Sequence, residues 1–131
     1  MEKVEWSESY SVGVSEIDFQ HQTLFRFLNR LIADSDSTTR SETVSDTLME
    51  MTRYAQEHFI REETLMALHG YPDLPAHRAL HREFRKKTVE FCQAAMLDVA
   101  IVPTALENYL VEWLINHILI EDQRFAPYMQ E

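Results

Sequence analysis

His58 and Glu62 stand four residues apart, as do His77 and His81; His117 is followed by Glu121 and Asp122, and His21 lies alone on an earlier segment. Four residues advance an ideal α-helix by about 400°, so the members of each pair share a face, about 6 Å apart along the axis. Both members can then reach one centre. A single histidine on an apolar seam is ordinarily a satisfied core residue. Five of the six histidines on such seams, together with two acids, would leave many buried polar groups without partners unless a cation or a dense hydrogen-bond network absorbed them. Metal binding is the simpler solution.

Five imidazoles and two carboxylates exceed the four positions of a tetrahedral zinc, and the set is too rich in nitrogen for calcium or magnesium. Two metals are implied. Imidazole with carboxylate suits iron, manganese or zinc; carboxylates able to bridge two ions inside a helical bundle point to a di-iron centre, while ligand type alone leaves manganese and zinc open.

The elements that must carry these residues are helices. Only two glycines and four prolines occur, which disfavours a strand-rich fold with many tight turns. Residues 1–14, with Trp6, Tyr10, Val12, Gly13 and Val14, read as an extended arm packed on the body. Ser15 with Asp18 marks the start of a first helix to Ala33, whose seam is Ile17, His21, Leu24, Leu28 and Leu31. A polar loop over 34–40 follows. Thr39 and Glu42 form a capping box for a second helix that runs unbroken to His69 and stops at Gly70, with Leu48, Met51, Ala55, His58, Glu62 and Leu65 on its seam.

Pro72 and Pro75 suit the entry to a third helix capped by Asp73, with His77, His81, Phe84, Thr88, Phe91 and Ala95 inward. After a connection over 98–102, Pro103 opens a fourth, with Leu106, Leu110, Trp113 and His117 in line. Short connections between four amphipathic helices predict an all-α, antiparallel, up-down-up-down four-helix bundle, in one domain over residues 1–131. In that topology the early positions of the first and third helices meet the late positions of the second and fourth, which brings the candidate ligands to one end.

The formal charge of −10 disfavours nucleic acid as a partner, because phosphate binding needs a basic surface. The single Cys92 excludes an internal disulfide framework and supplies no CxxC motif. No apolar run of signal-peptide or membrane-span length occurs, so a cytoplasmic location without membrane insertion is expected.

The sequence resembles the hemerythrin family, specifically its single-domain bacterial members, over nearly its whole length. The resemblance rests on Trp6, Ser11-Val12-Gly13-Val14 followed by Ile17-Asp18 and Gln20-His21, and His58-Phe59 with Glu62-Glu63. His69-Gly70-Tyr71-Pro72, the His77/His81 pair, and Trp113-Leu114 with His117-Ile118 and Asp122 complete it. Any one element is weak; seven matched ligands in order at family spacing are specific.

The resemblance implies two non-haem irons joined by an oxo or hydroxo group. His77, His81 and His117 would bind one iron and His21 and His58 the other, with Glu62 and Asp122 bridging. Dioxygen would bind end-on at the histidine-poorer iron, taking one electron from each ferrous ion and a proton from the bridge, and every step would reverse on release. Two carboxylates and one hydroxide would offset three of the four positive charges of a ferrous pair, so the centre would stay near neutral, whereas more carboxylate would favour higher oxidation states. The family's apolar dioxygen pocket corresponds to Leu24, Phe59, Trp113, Leu114 and Ile118. Ordinary core packing accounts for each of these on sequence alone, so their pocket role rests on the resemblance.

Spacing and resemblance disagree at one point. Asp122, five residues beyond His117, lies about 140° away on an ideal helix, whereas Glu121 shares the histidine's face. The family pattern selects Asp122, which requires the last helix to loosen or end near residue 120. Glu63 points about 100° from Glu62 and reads as a surface acid or one supporting a ligand. His69 suits the dipole at a helix end, and Cys92 packs as a small apolar residue. Arg78, Arg82 and Lys86 form a solvated face. The function implied is reversible dioxygen binding for carriage, storage or delivery to a recipient oxidase. The alternatives are a di-iron enzyme reducing peroxide, nitric oxide or dioxygen, and a sensor acting through a signalling partner.

Overall fold

Apolar residues recurring every three or four positions commit the chain to helix. The computed structural model describes residues 4–33, 42–97 and 102–129, and among these no strand occurs. The first rod is α1 (Ser15–Ala33). The second is continuous in space but changes pitch: α2 (Glu42–Arg53), a π-helical segment (Tyr54–His58), then α3 (Phe59–Leu68). The third is α4 (Leu74–Met96), and the fourth joins α5 (Val102–Trp113), a second π segment (Leu114–Glu121) and α6 (Asp122–Met129). The expected polar loop over 34–40, with Thr39 of its capping box, and residues 98–101 of the expected connection lie outside the described residues.

Side-chain pairings fix the directions. Glu16 meets Arg61 at 2.9 Å and Arg30 meets Asp46 at 2.8 Å, so the first two rods run antiparallel. Arg78 to Glu63 (3.1 Å) and Arg85 to the Ala55 carbonyl (3.4 Å) reverse the third against the second. Contacts of Phe91 with Tyr109 and of His81 with His117 reverse the fourth against the third. The result is the antiparallel four-helix bundle.

Every expected seam residue is buried except Ala95, which is half-buried. The core divides into two apolar bodies. The larger contains Leu24, Leu28, Met51, Phe59, Phe84, Leu106, Leu110 and Ile118; the smaller contains Val12, Ile17, Leu65, Met66, Tyr71 and Phe125. Each rod passes from one body to the other through the candidate ligands: His21 lies between Ile17 and Leu24, Glu62 between Phe59 and Leu65, and Asp122 between Ile118 and Phe125. The polar residues therefore form a layer near one end of the bundle, closed beyond by an apolar lid. Burying a side chain the size of Phe125 contributes about 1.5–3 kcal/mol, so the lid is a stabilising element in its own right.

Helix ends refine the sequence expectations. Ser15 lies inside α1 rather than capping it; the Asp18 carboxylate instead accepts from the Ser11 hydroxyl (2.5 Å) and the Val12 N–H (2.9 Å), tying the arm to the first turn. The arm contains a short 3₁₀ turn, Glu8–Tyr10, where an extended strand of chain was expected. Further along it, Val4 exchanges two hydrogen bonds with Asn29. Asp73 precedes α4 but its side chain makes no capping hydrogen bond, and Pro103 is the second residue of α5, not the first. Gly70 does close α3: its φ of 68° lets the N–H groups of Gly70 and Tyr71 return to the Ala67 and Met66 carbonyls.

Candidate metal centre

The four rods aim five imidazoles at one point. His21, on α1, and His58, at the end of the first π segment, bring their Nε2 atoms to 3.1 Å of each other; His81, on α4, and His117, in the second π segment, bring theirs to 3.3 Å. His77 enters one turn before His81. All five, with Glu62 and Asp122, are at most 2% exposed.

The carboxylates organise the cluster. Glu62 directs Oε1 at His77 (2.7 Å) and His81 (3.2 Å), and Oε2 at His58 (3.2 Å). Asp122 directs Oδ1 at His77 (3.0 Å) and His117 (3.2 Å), and Oδ2 at His21 (3.1 Å). Each acid thus divides its two oxygens between a three-histidine half and a two-histidine half. Two sets of donor atoms lie close enough to share an ion: Glu62, His77, His81 and His117, and His21, His58, Glu62 and Asp122.

Local helical geometry explains how Asp122 arrives. In the second π segment the Asp122 N–H bonds the His117 carbonyl, an i→i+5 closure that stacks residues five apart where an α-helix stacks those four apart. Asp122 is therefore fully buried, while Glu121 is 30% exposed beside Arg124. Of the two expected ways to turn Asp122 inward, the helix loosens and does not end: it widens from Leu114, earlier than residue 120, and continues as α6 to Met129. The first π segment closes similarly, from the Phe59 N–H to the Tyr54 carbonyl, and replaces the uninterrupted α-helix expected there.

Outer hydrogen bonds orient two of the imidazoles. His58 Nδ1 meets Gln20 Oε1 at 2.5 Å, and His81 Nδ1 meets Glu63 Oε2 at 2.7 Å, with Arg78 on the other Glu63 oxygen. Such partners fix the ring and raise its basicity, more so when anionic. Gln20 was visible in the sequence only as a neighbour of His21, because its contact crosses to another rod. Aromatic faces hold the other sides: Phe59 stacks on His81 (3.8 Å, 6° between planes), Trp113 on His117 (4.0 Å, 14°) and Tyr54 on His58 (4.4 Å, 17°). Leu24, Leu114 and Ile118 are buried in the adjoining larger core. His69 is the half-buried residue that caps the C-terminus of α3, and Cys92 is half-buried beside the α4 seam.

Electrostatics show a cluster of mutually compensating charges. Burial opposes protonation of His77, but Asp122 and Glu62 outweigh it and lift its pKa to about 10; the same acids raise that of His117 against burial. Burial dominates at His58 and lowers its pKa despite Glu62. Burial works against ionising Glu62, yet His58, His117 and His77 hold it well below the carboxylate range; His117 and His21 do the same for Asp122 against burial and the Glu62 charge. Glu62 Oε2 and both Asp122 oxygens are buried without a well-aligned hydrogen bond, and facing Nε2 atoms cannot both act as acceptors without a hydrogen between them. A cation that takes lone pairs from all of these atoms fits the donor set.

A family model described as the hemerythrin HHE cation binding domain matches residues 12–129. The chain belongs to the hemerythrin family. It is 32% identical over 125 residues to a bacteriohemerythrin of Stenotrophomonas maltophilia, covering 95% of this chain and 80% of that one. Against the myohemerythrin of Theromyzon tessulatum the identity is 31% over 126 residues, covering 95% of this chain and 92% of that one. A crystal structure of a hemerythrin point mutant superimposes over the full length of both chains with a TM-score of 0.81 at 24% identity, a likeness of fold. Among the described residues no helix is long and apolar enough to cross a membrane.

Proposed function

We propose that this hemerythrin-family chain, read as one di-iron domain over residues 1–131, binds dioxygen reversibly and serves its carriage, storage or delivery. The observation that carries the reading is the division of the Glu62 and Asp122 oxygens between the two histidine clusters, the arrangement that bridging carboxylates need. His77, His81 and His117 would hold one iron, His21 and His58 the other, and Glu62 and Asp122 both. When bound, a ferrous pair supplies the two electrons that dioxygen takes up on binding and regains on release. The protein's part is to position and exclude. Glu63 and Gln20 lock the His81 and His58 rings, and Leu24, Phe59, Trp113, Leu114 and Ile118 form the apolar wall that keeps bulk water from the ligand.

The test begins with metal analysis of protein loaded anaerobically with ferrous iron, for which two irons per chain is the expected result. The loaded protein is then cycled between oxygen and an inert purge while its visible spectrum is followed. Repeated reversible cycles support the reading. A single zinc per chain, or irreversible oxidation with turnover of added peroxide or nitric oxide, overturns it.

A further inference from the structure

Two hydrogen-bond donors are buried beside the ligand layer without a well-aligned acceptor. The Tyr54 hydroxyl and the Trp113 indole N–H are both sealed from solvent and both lack a partner, in residues that are 3% and 8% exposed. The indole lies near enough to the hydroxyl to influence it, yet without hydrogen-bond geometry. Their rings are held in a closed group with Phe59 and Phe84: Tyr54 contacts Phe59 (5.1 Å) and Phe84 (5.5 Å), and Trp113 contacts the same two rings (5.6 and 4.6 Å). The Tyr54 face rests on His58, a member of the two-histidine half. Glu62 and Asp122 are the charges acting most strongly on its hydroxyl. A buried donor with no acceptor is a standing penalty that a phenylalanine would avoid, so a hydroxyl whose ring lies on the candidate ligand His58 calls for an acceptor that arrives from outside.

We infer that Tyr54, assisted by Trp113, donates a hydrogen bond to the small exogenous ligand at the two-histidine half, making this pocket selective for ligands that carry negative charge or develop it on binding. The inference rests on the di-iron reading. It adds a polar contact to an otherwise apolar wall: the packed aromatic rings limit the size of the ligand, and the two donors select for its charge.

Azide is a suitable probe, being small, anionic and able to accept hydrogen bonds. Oxidised, iron-loaded protein is titrated with it in the parent, Tyr54→Phe and Trp113→Phe forms, with iron content and thermal stability measured on each. A hydrogen bond to a charged acceptor predicts about tenfold weaker azide binding in Tyr54→Phe, with a smaller loss in Trp113→Phe. Tyr54→Phe should retain its iron and melt no lower than the parent. In the parent, the bound-azide vibrational band should shift on transfer to heavy water, and Tyr54→Phe should abolish that shift. Equal affinity and an equal isotope shift in parent and Tyr54→Phe, both iron-loaded, overturn the inference and leave the di-iron reading intact. A lowered melting temperature in Tyr54→Phe also overturns it, since it would assign the hydroxyl an internal partner. Failure of the parent to take up iron overturns the di-iron reading itself.

Discussion

The two halves of the candidate centre are built from the same side chains and differ in what stands behind them. Behind His81 lies an anion, Glu63, itself paired with Arg78; behind His58 lies a neutral amide, Gln20, with the aromatic face of Tyr54. The first half has three imidazoles and a charged support, and the second has two imidazoles and a neutral one. An anionic partner strengthens the donation of an imidazole to a metal and stabilises higher charge upon it. The comparison teaches that asymmetry between the two halves of the candidate centre is imposed twice, by the number of imidazoles and by the groups behind them.

The most severe way to break that arrangement is to remove an acid that the di-iron reading makes a bridge. Asp122→Ala takes a donor from both halves and should weaken iron retention by more than the roughly 100-fold limit of supporting-residue changes, as read by iron content after competition with a chelator. Next in size is removal of the metal. Iron binding at a free concentration about 1,000 times its Kd stabilises the fold by about 4 kcal/mol, and the difference should depend on pH.

The sign of that dependence follows from the metal-free cluster. The pKa of His77 is raised from 6.5 to about 10, and that of His117 is also raised, so their contribution is complete below pH 6.5 and is lost as pH climbs towards 10. The pKa of His58 is depressed below 6.5, and those of Glu62 and Asp122 below 4.5 and 3.8, so their contribution exists above those values and is lost as pH falls. Metal-free protein should therefore be most stable near about pH 6.5. Iron replaces protons on the ligands, so its affinity rises with pH. Urea denaturation of loaded and metal-free protein should show the gap widening between about pH 6.5 and 9; a constant gap would contradict the charge arrangement described.

Smaller effects distinguish the supports. Glu63→Gln should lower iron affinity by about 10-fold or more and raise the reduction potential, by weakening His81 as a donor. Gln20→Leu should do less to the potential, because it removes no charge; equal shifts in the two variants would erase the proposed asymmetry. Smallest is Glu121→Ala, which should leave iron content unchanged and stability within about 0.5 kcal/mol. Loss of iron in that variant, with retention in Asp122→Ala, would transfer the bridging role to Glu121.

Much of this layout was legible in the sequence because polar residues at seam positions are conspicuous: His21, His58, Glu62, His77, His81 and His117 all occupy places where helical periodicity demands apolar side chains. The antiparallel bundle followed from the same periodicity. Two features were hidden for physical reasons. A π segment needs no glycine or proline, and Tyr54–His58 and Leu114–Glu121 contain neither; its only trace was the misfit of Asp122 with α-helical spacing. The supports depend on which way an imidazole Nδ1 points across to another rod, so Glu63 could be placed only as an acid turned away from Glu62, and Tyr54 carried no spacing signal that set it apart from core.

The widened turn at Leu114–Glu121 acts on the rest of the chain as a phase shift. Winding the segment at ordinary α-helical pitch with no residue removed would swing Asp122, Phe125 and Ala126 together by about 100° relative to His117. Asp122 faces the metal layer, while Phe125 and Ala126 belong to the apolar lid that closes the bundle beyond it. The wide turn thus absorbs one residue and sets the aim of both, so a chain of the same length wound without it would forfeit its acid and its lid in the same step.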